Sequence, residues 1–179
     1  IVSGLALGID SISHQIALEN NSRTIAVLGS GLNKITPSTN NNLALKIINN
    51  GAVISEYEPD EEALPYNFPQ RNRIIAGLAI GTLVIEAGEK SGALITARLA
   101  TENNREVFAV PGSIFSIYSK GTNKLISQGA KLVSSPLDIL EEFYWLKEKI
   151  KEKTIQNLSP DETKILESLI EPKTIEELS

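Results

Sequence analysis

The amino-acid sequence predicts an α/β protein built on a doubly wound, mainly parallel sheet. Three observations carry this. Short β-branched runs recur at 24-TIAVLG-29, 52-AVISEY-57, 82-TLVIEA-87 and 107-VFAVPG-112. They lack a clear period of two, which suits strands buried on both faces. Segments with helical spacing of apolar residues lie between them, and that alternation points to parallel strands joined by right-handed crossovers. In such sheets strand ends and helix starts share one edge, and ligands bind there.

A strand is expected at Ile1–Val2, followed by 3-SGLALGID-10, where Gly4 and Gly8 allow close backbone approach and Asp10 or Ser11 can cap a helix. A helix over Ile9–Asn20 is expected to carry Ile9, Ile12 and Ile16 with His14, Ala17 and Leu18 in a mostly apolar spiral. After the second strand, 29-GSGLN-33 is a small-residue turn with backbone N–H groups to offer. Asn41–Asn50 places Leu43, Ala44, Ile47 and Ile48 on one face. A short helix is expected at Ile74–Ala79, one at Ala93–Asn103, and a weak strand at Lys131–Val133. Ser134-Ser135-Pro136 opens a long helix striped by Ile139, Leu140, Phe143, Leu146 and Ile150. The domain is placed at 1–145, with a charged linker at 146–157. The start of an incomplete winged-helix-like module follows at 158–179, where 159-SPDE-162 carries a helix-start signature.

With 179 residues, 41% of them hydrophobic, the chain is long enough for one full domain and an appendage. It has no Cys, which excludes disulfides and thiolate metal sites and is compatible with a reducing cytoplasm. A single His leaves little room for a histidine-based metal site. An Ile1 start without Met suggests a fragment, and neither a bilayer-spanning run nor a signal-peptide pattern is visible. The net charge of −5 argues against nucleic acid only at first sight. From Asp138 onward 11 acids face 6 lysines, so residues 1–137 are balanced. Five of their acids crowd between Glu56 and Glu62, which leaves the rest mildly basic.

Cations then stand at presumed helix starts. In 68-FPQRNRII-75, Arg71 and Arg73 precede an apolar run; in 86-EAGEKSGALITA-97, Lys90 precedes Ser91-Gly92. Positive charge at a helix N-terminus opposes the macrodipole, so a bound anion would rationalise it. Ser91 and Thr96 can add hydroxyl donors, and Phe68 can stack a base or staple the helix. A bland alternative pairs Arg71 with 58-EPDEE-62. For catalysis the inventory is thin: His14 reads as a packed helix residue, and Asp10, Glu56 and Glu86 fall near strand ends.

These segments, with 105-REVFAVPG-112 and 121-GTNKLISQGAKLV-133, match in order and spacing the DNA-processing protein A (DprA/Smf) family, which residues 1 to about 145 resemble. F-P-x-R-N-R with a downstream E-A-x-x-x-S-G is a highly specific pair of motifs. The resemblance implies a Rossmann-like domain that binds single-stranded DNA without a cofactor or enzymatic activity. It implies protection of incoming strands in natural transformation, loading of the RecA recombinase onto them, and a homodimer formed through the Rossmann-like domain. It places Phe68, Arg71, Asn72, Arg73 and Lys90 at the DNA, framed by Ser91, Gly92 and Thr96 and by the backbone of Gly29, Ser30 and Gly31. Two departures stand out. The family's earlier strand ending in Gly-Ser-Arg is absent, and Thr36 stands where a tyrosine usually precedes the proline.

Two other readings compete. A nucleotide-processing enzyme, such as a nucleoside-monophosphate phosphoribohydrolase, would use Glu86 as acid or base and Arg73 on a phosphate. An assembly scaffold would use only the 134–153 helix and the acidic tail to bind a protein partner.

Overall fold

The computed structural model describes residues 1–144 and divides the chain into two units, Ile1–Ser134 and a second beginning at Ser135. The first unit holds six short strands: β1 (Val2–Ser3), β2 (Thr24–Val27), β3 (Gly51–Ile54), β4 (Gly81–Val84), β5 (Glu106–Ala109) and β6 (Lys131–Leu132). Between them run α1 (Ile9–Glu19), α2 (Asn41–Asn50), α3 (Asn67–Leu78), α4 (Gly92–Glu102) and α5 (Lys120–Ser127). All pairing is parallel, as the alternation requires.

The strands form two ladders, β1-β2-β3 and β4-β5-β6. Within them Ala26 lies opposite Val53 and Leu83 opposite Phe108. Each ladder has its own core. Leu5, Ala26, Leu28, Ala44 and Ile47 close the first; Val84, Ala87 and Ala97 close the second. Helix α3 packs on α4 and also touches β1 and β2, while α4 lies on β4 and β5, so this helix pair ties the ladders together. Strands β1 and β4 have no strand partner on their facing edges among the described residues. Between them lies an apolar-lined cavity of about 760 Å³, with Val2, Ile75, Gly81 and Leu83 in its walls. A strand in that slot would join the two ladders into one sheet.

The elements stand where the sequence places them, with four differences. Helix α3 starts at Asn67, seven residues before the expected Ile74, and takes in Pro69. A proline is tolerated there because first-turn N–H groups have no intrahelical acceptor. Helix α5 was not expected. Gly121 and Thr122 in its first turn give it poor intrinsic propensity, but both are buried, and the Gly121 amide donates to the Ala87 carbonyl at 2.8 Å. On α1 the buried residues are His14 and Ala17, whereas Ile9, Ile12 and Ile16 are exposed. The helix is turned so that small Ala17 meets the neighbouring elements and the His14 ring reaches Thr24 of β2 at 2.6 Å. On α2, Ala44 and Ile47 are buried as expected, but Ile48 is exposed.

In the second unit, α6 (Pro136–Glu142) is capped by a reciprocal Ser135–Asp138 box with Pro136 in its first turn. The linker at 146–157 and the winged-helix-like segment at 158–179 lie outside the described residues, as does the remainder of the expected long helix.

Candidate nucleic-acid interface

Five of the residues singled out in the sequence meet at one place. Phe68, Arg71 and Asn72 of α3, with Gly92 and Thr96 of α4, line the cavity between β1 and β4, beside Ser3 and Asp10. Chain order gathers them: β1 ends at Ser3, β4 at Val84, and the loops beyond both strands meet the first turns of α3 and α4. The Asn72 amide reaches the Gly92 carbonyl at 3.5 Å, linking the two helices at their starts.

The two arginines differ sharply. Arg71 is only 5% exposed. Its Nη1 donates to the carbonyls of Gly4, at 3.0 Å, and of Val27, and its Nε donates to Asn72 Oδ1 at 3.2 Å. The guanidinium thus fastens α3 to the ends of β1 and β2. Burial lowers its pKa from the ordinary value, opposed by the nearby Asp10 carboxylate; arginine stays charged nonetheless. Asp10 completes the corner, its Oδ2 accepting from the amides of Gly4 at 3.0 Å and Ala6 at 3.2 Å. The approach is close: a Cβ at Gly4 would sit 2.5 Å from Arg71 Nη2, so the guanidinium would have to move. Arg73 is exposed and paired with Glu56 at the surface. The bland alternative is therefore not what the structure shows: the charge partner of this segment is Glu56, and it meets Arg73 rather than Arg71. Both arginines lie in the second turn of α3, beyond the first turn where the dipole acts strongly, so the sign argument holds for Lys90 better than for them.

Lys90 is exposed and has no ion-pair partner among the described residues. It directly precedes Ser91, whose hydroxyl caps α4 by accepting from the Ala93 amide at 3.3 Å. Phe68 is half-buried. Its ring lies against Gly29, where a Cβ would come within 2.9 Å of Cδ1, and the Arg71 guanidinium carbon is 5.9 Å from the ring centroid.

The turn at Gly29, Ser30 and Gly31 is engaged internally. The Gly31 amide donates to the Glu61 carbonyl at 2.8 Å, and the Ser30 hydroxyl donates to the Lys34 carbonyl at 2.7 Å. The acidic segment covers it, with Asn33 on Asp60 at 2.9 Å and Lys34 on Glu62 at 2.9 Å. The contribution of this turn to the cavity is indirect: Gly29 seats the Phe68 ring, and its carbonyl accepts from buried Asn67 at 3.0 Å.

Sequence reasoning missed Asn67 and the anchoring role of Asp10. A buried carboxamide just ahead of F-P-x-R-N-R was its only signal, and that is not readable without the helix start. Glu86 is exposed without a bonded partner among the described residues, and Glu56 is paired with Arg73. None of the three carboxylates named as acid or base faces another in a hydrogen bond among the described residues.

Residues 1–144 match the family described as DNA recombination-mediator protein A. The chain belongs to that family. Among curated DprA/Smf relatives, it is 52% identical over 143 residues to the DNA processing protein DprA of Streptococcus pneumoniae, covering 80% of this chain and 51% of that one. It is 51% identical over 151 residues to the protein Smf of Escherichia coli, covering 82% and 40%. The chain thus spans about half or less of the length of these DprA/Smf relatives. Two solved DprA structures share the fold. That from S. pneumoniae superposes with a TM-score of 0.74 at 50% identity, covering 79% of this chain and 50% of that one. That from Helicobacter pylori, described for its unique single-stranded DNA binding mode, does so with a TM-score of 0.74 at 33% identity, covering 83% and 66%. The parallel α/β unit is thereby a DprA-type Rossmann-like domain.

Proposed function

We propose that this protein binds single-stranded DNA along the strand-end edge beside α3 and α4, and that it acts in DNA processing during transformation. The observation that carries the reading is the unpaired Lys90, two residues before Gly92 in the wall of a cavity that Phe68 also lines. Phosphates are taken by Lys90 and by Arg73, which exchanges its surface partner Glu56 for the ligand. Phe68 offers its open face to a base, and Arg71 holds that ring and the Gly4 corner in place instead of clamping phosphate directly. Ser91, Gly92, Asn72 and Thr96 frame the groove. The likeness to DprA from H. pylori, described for its single-stranded DNA binding mode, supports the choice of ligand. A homodimer through the Rossmann-like unit, protection of the bound strand, loading of RecA and a non-enzymatic role belong to the same reading. They rest on family membership.

Titration of fluorescent oligo(dT) tests it. Lys90→Gln should weaken binding roughly tenfold and flatten the salt dependence by about one phosphate contact. Unchanged affinity and slope would remove Lys90 from the interface, and tighter binding to duplex than to single strand would overturn the reading itself. Release of adenine from AMP, abolished by Glu86→Gln, would revive the phosphoribohydrolase.

A further inference from the structure

Helix α5 is preceded by a loop, 111-PGSIFSIYS-119, that no role above absorbs. Its large apolar side chains face outward: Phe115 is 91% exposed, and Ile114, Ile117 and Tyr118 are exposed as well. The loop is nevertheless tightly built. Ser116 donates to the Ser113 carbonyl at 3.0 Å, and the Phe115 amide donates to Ser113 Oγ at 3.3 Å. Asn123 grips both the amide and the carbonyl of Gly112, at 3.1 and 2.9 Å. An ordered loop that presents several large apolar groups to water marks a contact surface.

Its position favours one occupant. The Ala87 amide donates to the Tyr118 carbonyl at 2.9 Å, so the loop abuts the β4–α4 turn that carries Lys90. Lys120, two residues beyond Tyr118, pairs with Glu89 at 3.4 Å across the same junction. Aromatic faces adjoining a turn with an unpaired cation form the combination that takes stacked bases and phosphates of a single strand. We infer that the 113–118 loop is a second base-stacking platform, with Phe115 and Tyr118 receiving nucleotides of single-stranded DNA that extend past the Lys90 turn. This rests on the DNA-binding reading above.

Two oligo(dT) lengths separate the platforms: about 5 nucleotides, enough for the Phe68 cavity, and about 15, enough to reach onward. Phe115→Ala with Tyr118→Ala should leave the short oligonucleotide's affinity unchanged and weaken the long one about tenfold. Phe115→Trp should restore the long-oligonucleotide affinity, and its indole fluorescence should be quenched by DNA beyond the Trp145 background seen in the parent. Equal loss at both lengths, or none at either, overturns the inference. A fall in oligomeric state with unchanged DNA affinity per protomer makes the loop a protein contact, and also overturns it. If the parent binds neither oligonucleotide, the DNA-binding reading fails and this inference falls with it; if only the double variant matches the parent, this inference fails alone.

Discussion

Arg71 and Arg73 stand two positions apart and were one motif in the sequence, yet their surroundings separate them. Removing Arg71 leaves the Gly4 and Val27 carbonyls without their donor at a buried corner. Arg71→Ala should therefore cost about 2–4 kcal/mol of folding stability. Arg73→Ala removes only an exposed pair with Glu56 and should cost under about 1 kcal/mol. Urea unfolding of the two variants compares them directly, and equal losses would refute the assignment of roles. His14 is a second residue whose chemistry is set by burial. Its Nδ1 meets Thr24 Oγ1, and that hydroxyl donates to the Ile1 carbonyl at 3.2 Å. Nε2 is buried without a partner among the described residues. Desolvation lowers the His14 pKa from 6.5 to about 4, against the pull of Asp10 and with the help of the chain's amino terminus. The unfolded chain binds this proton more readily than the folded one. Stability is therefore full above about pH 6.5 and falls as pH drops toward 4, by on the order of 3 kcal/mol in all. His14→Gln should flatten the dependence of the urea midpoint on pH between 7 and 4.5; an unchanged profile would exclude His14 as its source.

At the level of elements, packing overrides propensity more than once. Helix α5 forms over a Gly-Thr start because Gly121 allows the helix to rest on the β4 end: a Cβ there would lie 2.7 Å from the Ala87 carbonyl and 2.8 Å from that of Gly88. Gly121→Ala raises helix propensity by about 1 kcal/mol, but overpacking against fixed backbone costs roughly 1–3 kcal/mol. The variant should be less stable than the parent in thermal unfolding, and a rise in midpoint would show that the contact relaxes freely. The same logic explains α1. Its Ile9, Ile12 and Ile16 have the spacing of an inward stripe, yet a histidine and an alanine are the residues the neighbouring elements accept. Periodicity identified both helices α1 and α2, but it found buried Ala44 and Ile47 on α2 while placing exposed Ile48 beside them. Helix α3 escaped its true start because Pro69 stands inside a first turn that needs no amide donors, and the two arginines interrupt the apolar spacing of the second.

For the whole molecule, the two three-stranded ladders are the central fact. β1 and β4 face an apolar slot with no strand between them among the described residues, and α3 with α4 bridges the gap. Filling it with one parallel strand would satisfy two edges and cover Val2, Leu83 and Ile85. A chain extended ahead of Ile1 by a strand ending in Gly-Ser-Arg should unfold at least about 5 °C higher, and should bind single-stranded DNA more tightly through the added cation. An unchanged midpoint would mean that the slot accepts no strand. The sequence by itself determined the α/β class, the succession of strands along the chain and the motifs that gather at their ends, because hydrophobic runs, turns and crossover rules are local or nearly so. It also determined that Lys90 precedes a helix start, since Ser91 and Gly92 announce one. Only the tertiary structure decided that Arg71 turns inward while Arg73 stays in water, that the Gly29–Gly31 turn is closed by 58–62, and that the 113–118 loop borders the Lys90 turn. Each of those depends on which distant backbone groups arrive within hydrogen-bond reach, and chain-distant contacts leave no periodic trace in one sequence.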